Sequence, residues 1–271
     1  MNIFFCIDQK HTAELLRTIR MVCLKISCPM KVHVLHNGIS KDDNIVRAQQ
    51  LVDSSGGEFG LYFFSQDSDA TELPSGTPHI SKVARLKFHI GEFDCDKALY
   101  LDTDILINDD LSMLYNLNLK DYIIGACPDI NNKNFNKRLD LPQSYTYFNS
   151  GMLLINPALW KKNRVSQKLA NITKNSASIL TYVDQDAFNL LFSELGYFKV
   201  PLEWNFPFNP HLINFNVFNY IFKFIKGESV FRLIKAFYKP KLIHFIGQPK
   251  PPMNTIKGKW YKVFSEFTDS Y

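Results

Sequence analysis

Lys97-Ala98-Leu99-Tyr100-Leu101-Asp102-Thr103-Asp104-Ile105-Leu106-Ile107 reads as an apolar strand that delivers two carboxylates, one residue apart, at its exit. In an extended backbone the side chains of Asp102 and Asp104 share one side. Together they can hold one divalent cation, whose remaining positions suit diphosphate oxygens. Such a cation offsets the charge that grows on a departing nucleoside diphosphate. An Asp-X-Asp pair is also common in solvated turns. Its place at the end of a buried strand favours the functional reading.

On either side of this stretch, short β-rich runs alternate with helical patterns. Strands are predicted at Asn2–Ile7, Lys31–Leu35, Phe59–Phe64 and Lys97–Leu101, with a further apolar strand at Gly151–Asn156. Residues 12–26 place Leu15, Leu16, Ile19, Val22, Cys23 and Ile26 at helical spacing, and helices are also expected over 41–52 and Lys82–Phe93. Pro157 falls where a helix begins, a favoured position for proline. The alternation predicts an α/β fold with a mainly parallel sheet and helices on both faces. Ligands of open α/β sheets sit at the carboxyl ends of the strands. Asp8-Gln9-Lys10-His11 and Asp102-Thr103-Asp104 are polar stops at two such ends.

The chain has 271 residues, 46% of them hydrophobic and 21% charged, enough for a full core. No apolar run reaches the roughly 18 residues of a membrane-spanning helix, and the N-terminus reads as a buried strand instead of a signal peptide. Cys6, Cys23, Cys28, Cys95 and Cys127 lack metal or disulfide spacing. Reduced thiols and a cytoplasmic location are expected. The net charge of +5 is local: residues 211–241 carry Lys223, Lys226, Arg232, Lys235, Lys239 and Lys241 against Glu228 alone. No nucleic-acid-binding motif accompanies them, so a nucleic-acid partner is not expected. Phe215, Phe218, Phe222, Phe224, Phe231 and Phe237 are interleaved with the basic residues. The segment is read either as helices packed on the domain or as a surface that touches the inner face of the cytoplasmic membrane.

From residue 2 to about 252 the sequence resembles glycosyltransferase family 8, which has the GT-A fold. Six stretches carry the resemblance, in order: the strand ending at Asp8, Val83-Ala84-Arg85-Leu86-Lys87-Phe88, Leu99-Tyr100-Leu101-Asp102-Thr103-Asp104, Tyr147 to Asn156, Asp184-Gln185-Asp186, and His244-Phe245-Ile246-Gly247-Gln248-Pro249-Lys250-Pro251. The resemblance implies a catalytic domain over 1–252 with a tail at 253–271. It implies a retaining transfer of galactose or glucose from a UDP-sugar to a glycan or glycolipid acceptor, lipopolysaccharide or another surface glycan, in an α-linkage. Asp102, Asp104 and His244 would ligate Mn²⁺, which an imidazole beside two carboxylates suits better than the alternative Mg²⁺. Gly247 and Lys250 would hold diphosphate oxygens. Cys6, Ile7, Asp8 and Lys10 would line the nucleotide, with Asp8 accepting from uracil. Thr103 and Ser150 complete the donor site. Arg85, Asn149, Asp184 and Gln185 would contact the donor sugar and carry the catalytic roles.

Pro252 stands where the family often has tryptophan, and no role is carried over to His79. Plainer readings stand beside these. Arg85 could pair with a surface carboxylate, Asn149 could cap a turn, and the Asp184-Gln185-Asp186 cluster could open a helix. Alternative functions for the aspartate pair are a metal-dependent phosphohydrolase and a non-catalytic UDP-sugar-binding protein. The first leaves the Asn149-Ser150-Gly151 and His244-to-Lys250 stretches unexplained.

Overall fold

A computed structural model of the chain describes residues 1–40, 42–64, 82–130, 135–208 and 230–246. Among the described residues there are ten strands: β1 Asn2–Ile7, β2 Lys31–His36, β3 Glu58–Phe63, β4 Ala98–Leu101, β5 Ile105–Ile107, β6 Ile124–Pro128, β7 Phe148–Ile155, β8 Phe198–Lys199, β9 Phe206–Phe208 and β10 Leu242–Phe245. The helices are α1 Thr12–Lys25, α2 Asp43–Ser54, α3 Leu111–Tyr115, α4 Phe135–Arg138, α5 Pro157–Lys162, α6 Val165–Asn175, α7 Val183–Leu195 and α8 Val230–Tyr238. Seven strands form one sheet in the order β3-β2-β1-β4-β7-β6-β8, and β5-β10-β9 form a second, small one. Among the described strands of the large sheet, β7 alone runs against its neighbours. The mainly parallel sheet expected from the sequence is present.

Period-2 alternation divides the core. Ile3, Phe5 and Ile7 of β1 pack with Leu15, Ile19 and Val22 of α1 and with Ile45, Ala48 and Val52 of α2. Phe4 faces the opposite layer, with Phe88, Trp160, Leu169 and Phe188. β1 buries both faces, which explains its unbroken apolar sequence. Asn156 caps α5 by accepting from the Leu159 amide, with Pro157 in the first helical position.

One local reading is refined and one needs correction. The segment Lys82–Glu92 is helical, as expected, but as a 3₁₀-helix. Val83 and Leu86, both buried, stand three residues apart, the period of that tighter helix. Asp102-Thr103-Asp104 is not extended: the chain turns there between β4 and β5. The turn carries it from the large sheet into the small one, so the same-side argument for the two carboxylates does not apply.

Topology then fixes where a site can form. The chain runs from β1 outward through β2 to β3, and β4 returns to the other side of β1. The reversal leaves a crevice beyond the carboxyl ends of β1 and β4, the usual ligand position in such sheets. Pairing of Phe4 with Tyr100 brings Cys6 level with Asp102. β7 runs the other way, so its first residues, Asn149–Gly151, reach the same edge.

Candidate active site

Asp102, Asp104 and His244 meet at this edge. Their ligand atoms lie within 4.8 Å of one another. His244 Nε2 is 3.1 Å from Asp104 Oδ1 and 3.7 Å from Asp102 Oδ2. Backbone pairing holds the three in place. The Asp102 amide donates to Gly151 O at 2.8 Å, and the Phe245 amide donates to Asp104 O at 3.0 Å. His244 itself pairs with Ile105 across the β10–β5 ladder. The Tyr100 hydroxyl donates to Asp102 Oδ1, and Thr18 Oγ1 ties α1 to Thr103 O at 2.9 Å.

Gly151 is part of this arrangement. A Cβ there would lie 2.2 Å from His244 Cε1 and 2.8 Å from Asp102 Oδ2, so the imidazole and carboxylate occupy the space a side chain would take. Two carboxylates and an imidazole nitrogen, closing on one point, form a donor set suited to a borderline divalent cation.

A second cluster adjoins the first. Asp184, in the first turn of α7, is 6% exposed. Its Oδ2 accepts from Lys87 Nζ at 2.6 Å and from Ser150 Oγ at 2.9 Å. Lys87 Nζ also lies 3.4 Å from Asp102 Oδ1. Burial alone would favour loss of the lysine proton, but the Asp102 and Asp184 carboxylates outweigh it and push its pKa up. Lys87 is therefore a fixed buried cation between the metal-type cluster and α7. Cys6 is half-buried beside them, and burial pushes its thiol well up, so it stays protonated.

Gln185 is held at both ends. Its Oε1 accepts from Asn149 Nδ2 at 3.0 Å and the Ser150 amide at 3.1 Å. Its Nε2 donates to Asp129 Oδ2 at 3.1 Å and Tyr147 Oη at 3.3 Å. Asp186, fully buried, accepts from Tyr147 Oη and Arg138 Nη2, each at 2.6 Å. The helix-opening reading holds geometrically, for Asp184 and Asp186 lie in the first turn of α7. The turn reading does not, because Asn149 lies inside β7, where its Oδ1 accepts from the Gly151 amide.

The remaining expected residues fall around these clusters. Arg85 is buried on the 3₁₀ segment at 6% exposure, not on an exposed helix surface. Ile7 is buried at the end of β1. Asp8 caps the following turn, accepting from the Lys10 amide at 3.0 Å and contacting His11 Nδ1 at 2.6 Å. Lys10 is exposed. Gly247, Lys250 and His79 lie outside the described residues.

Lys87, Asn205, Asp129 and Tyr147 were not singled out for a site role by the sequence. Lys87 does leave a trace, as a second cation two residues after Arg85 in an apolar run. Asn205, between Trp204 and Phe206, leaves none.

Fold and cluster together place the chain in the GT-A class of glycosyltransferases, built on a mainly parallel sheet with an acidic site at its edge. The sequence model of glycosyl transferase family 8 matches residues 2–254, and the chain belongs to that family. The crystal structure of the galactosyltransferase LgtC in complex with donor and acceptor sugar analogues superposes with a TM-score of 0.82 at 25% identity, covering 100% of this chain and 96% of that one. General stress protein A of Bacillus subtilis is 25% identical over 263 residues, 93% of this chain and 87% of its own length. The lipopolysaccharide 1,2-glucosyltransferase of Escherichia coli K12 is 29% identical over 113 residues, 41% of this chain and 33% of its own length. A Haemophilus influenzae relative is 26% identical over 198 residues, 70% of this chain and 58% of its own length.

Proposed function

We propose that this glycosyltransferase moves galactose or glucose from a UDP-sugar to a surface glycan such as lipopolysaccharide, with retention at the anomeric carbon. The observation that carries the reading is the convergence of Asp102, Asp104 and His244 at the β1–β4 switch point. The three would hold Mn²⁺, which supplies charge to stabilise the departing diphosphate. Asp8 and Lys10 stand at the carboxyl end of β1, toward the nucleotide. Gly247 and Lys250 are proposed for the diphosphate from their sequence alone. Arg85, Asn149, Asp184 and Gln185 are proposed to hold the donor sugar. The LgtC complex with sugar analogues and the lipopolysaccharide glucosyltransferase support a sugar donor and a surface-glycan acceptor.

The side chains available favour same-face attack. A double displacement needs a nucleophile under the ring. Asp184 Oδ2 is occupied by Lys87 and Ser150, and the Gln185 amide is bonded at both ends. In same-face attack the acceptor hydroxyl bonds to the anomeric carbon as the carbon–phosphate oxygen bond breaks, and the leaving phosphate oxygen takes the proton. Asp184 and Gln185 then orient the sugar. The test is a reaction with UDP-galactose and UDP-glucose in which the anomeric signal of the product is read by NMR. An α product without a trapped sugar–enzyme adduct supports the reading. A β product removes retention, and an adduct on Asp184 or Gln185 removes same-face attack.

Peripheral membrane association through 211–241 belongs to the same proposal. Among the described residues of that segment, Lys235 pairs with Glu203 at 2.7 Å and Lys241 with Asp109 at 2.9 Å. Ala236 is buried, and Phe237 meets Phe206 edge-on. These contacts favour packing for α8, so the membrane proposal rests on the sequence of 211–232. No helix among the described residues is long and apolar enough to cross a membrane.

A further inference from the structure

The amide side chains beside the cluster form one hydrogen-bonded series whose polarity is set by groups that cannot reverse. An Asn or Gln amide can be drawn either way round, and its neighbours decide which way is right. At one end the Ser150 amide can only donate, so the atom of Gln185 it reaches at 3.1 Å is the oxygen. Gln185 Nε2 then faces Asp129 Oδ2 at 3.1 Å, a carboxylate that accepts. The Gly151 amide likewise fixes the oxygen of Asn149, at 2.9 Å, and Asn149 Nδ2 correctly meets Gln185 Oε1. Asn205 lies 2.9 Å from that same Asn149 oxygen and must present its NH₂ there. The opposite orientation would set oxygen against oxygen. Asn205 Oδ1 is then the atom 3.0 Å from His244 Nδ1, and Nδ1 must carry a hydrogen.

The consequence falls on the other ring nitrogen. With the hydrogen on Nδ1, a neutral His244 turns the Nε2 lone pair toward Asp104 and Asp102. A lone pair facing two carboxylates is repulsive unless positive charge stands between them. We propose that Asn205, 2% exposed, is a positioning residue that holds His244 as the Nδ1–H tautomer and joins it through Asn149 to Gln185. The cation arm of this inference rests on the metal-dependent function proposed above; the tautomer does not. Orienting partners of this kind typically change metal affinity by about 10–100-fold when removed.

The tautomer is read from the ¹⁵N shifts of the His244 imidazole in the metal-free protein, at a pH where the ring is neutral. The signal is assigned by its loss in His244→Gln. The Nδ1–H form is expected in wild type, and the Nε2–H form there overturns the inference whether or not any variant folds. Mn²⁺ affinity is measured by calorimetry on wild type, Asn205→Ala and Asn205→Asp. Asn205→Ala is expected to mix the tautomers and weaken binding about tenfold or more. Asn205→Asp keeps an acceptor for Nδ1–H, so its neutral ring is expected to stay in the Nδ1–H form, while its second oxygen opposes Asn149 Oδ1 and the link to Gln185 is lost. An unchanged tautomer and affinity in Asn205→Ala overturns the inference. A wild type in the Nδ1–H form that binds no divalent cation removes the metal reading and leaves the positioning role standing.

Discussion

A Cβ at Gly151 would meet His244 Cε1 at 2.2 Å and Asp102 Oδ2 at 2.8 Å, so Gly151→Ala tests the cluster without touching a ligand. Metal affinity is expected to fall about tenfold or more, and the crowding is expected to lower stability by about 1–3 kcal/mol. Unchanged Mn²⁺ binding in a folded Gly151→Ala protein would show that the cation lies elsewhere. Lys87 is the complementary case, because its charge is needed whether or not metal is bound. Lys87→Met strands Asp184, and breaking such a buried pair typically costs about 3–5 kcal/mol. Lys87→Arg keeps the charge and should recover part of the loss in a denaturation series; equal losses in the two variants would contradict the charge argument. These residues differ in how far sequence revealed them. Asp102 and Asp104 announce themselves by spacing. His244 is far from them in sequence, and only its resemblance to a family motif linked it to them. Asn205 was invisible, because its role depends on which atoms of Asn149 and His244 it happens to reach.

Among the elements, β2 carries a buried histidine that makes stability depend on pH. His33 stacks on Phe4 at 4.3 Å and contacts Tyr62 Oη and Asn2 Oδ1 through its two nitrogens. Burial, aided by Lys31, lowers its pKa from 6.5 to about 4. The folded ring is thus neutral where the unfolded one is protonated. Its contribution is fully present above about 6.5 and is lost as pH falls toward about 4. Urea midpoints measured across that window should decline with acid, and His33→Phe should flatten the decline. An equal slope in the variant would clear His33 of the effect. Strands such as β1 were legible because burial on both faces leaves an unbroken apolar run. The 3₁₀ geometry of Lys82–Glu92 was not, since spacings of three and four overlap in a short apolar pattern. The Asp102–Asp104 turn was misread as extended because nothing local signals that β4 and β5 belong to different sheets.

At the scale of the whole molecule, the α/β alternation predicted the parallel sheet, but the sequence could not supply the order β3-β2-β1-β4-β7-β6-β8. That order, with β7 reversed, brings Asp8, Asp102 and Asn149 to one edge. The basic charge of 211–241 belongs to this scale too. Wild type should co-sediment with anionic vesicles at low salt and be released as screening shortens to about 3 Å at 1 M. Changing Lys223, Lys226 and Arg232 to Gln should reduce binding, with Lys235 left to its pair with Glu203. Absence of wild-type binding would assign the whole segment to packing. The most direct test of the proposed chemistry is UDP release from UDP-galactose and UDP-glucose in the presence of a sugar acceptor, with and without Mn²⁺, by wild type and Asp104→Asn. Release by wild type that requires the metal and falls by about 10²-fold or more in Asp104→Asn is the expected result. Release that ignores both the metal and the substitution would contradict the assignment of Asp102, Asp104 and His244 as the centre of the reaction.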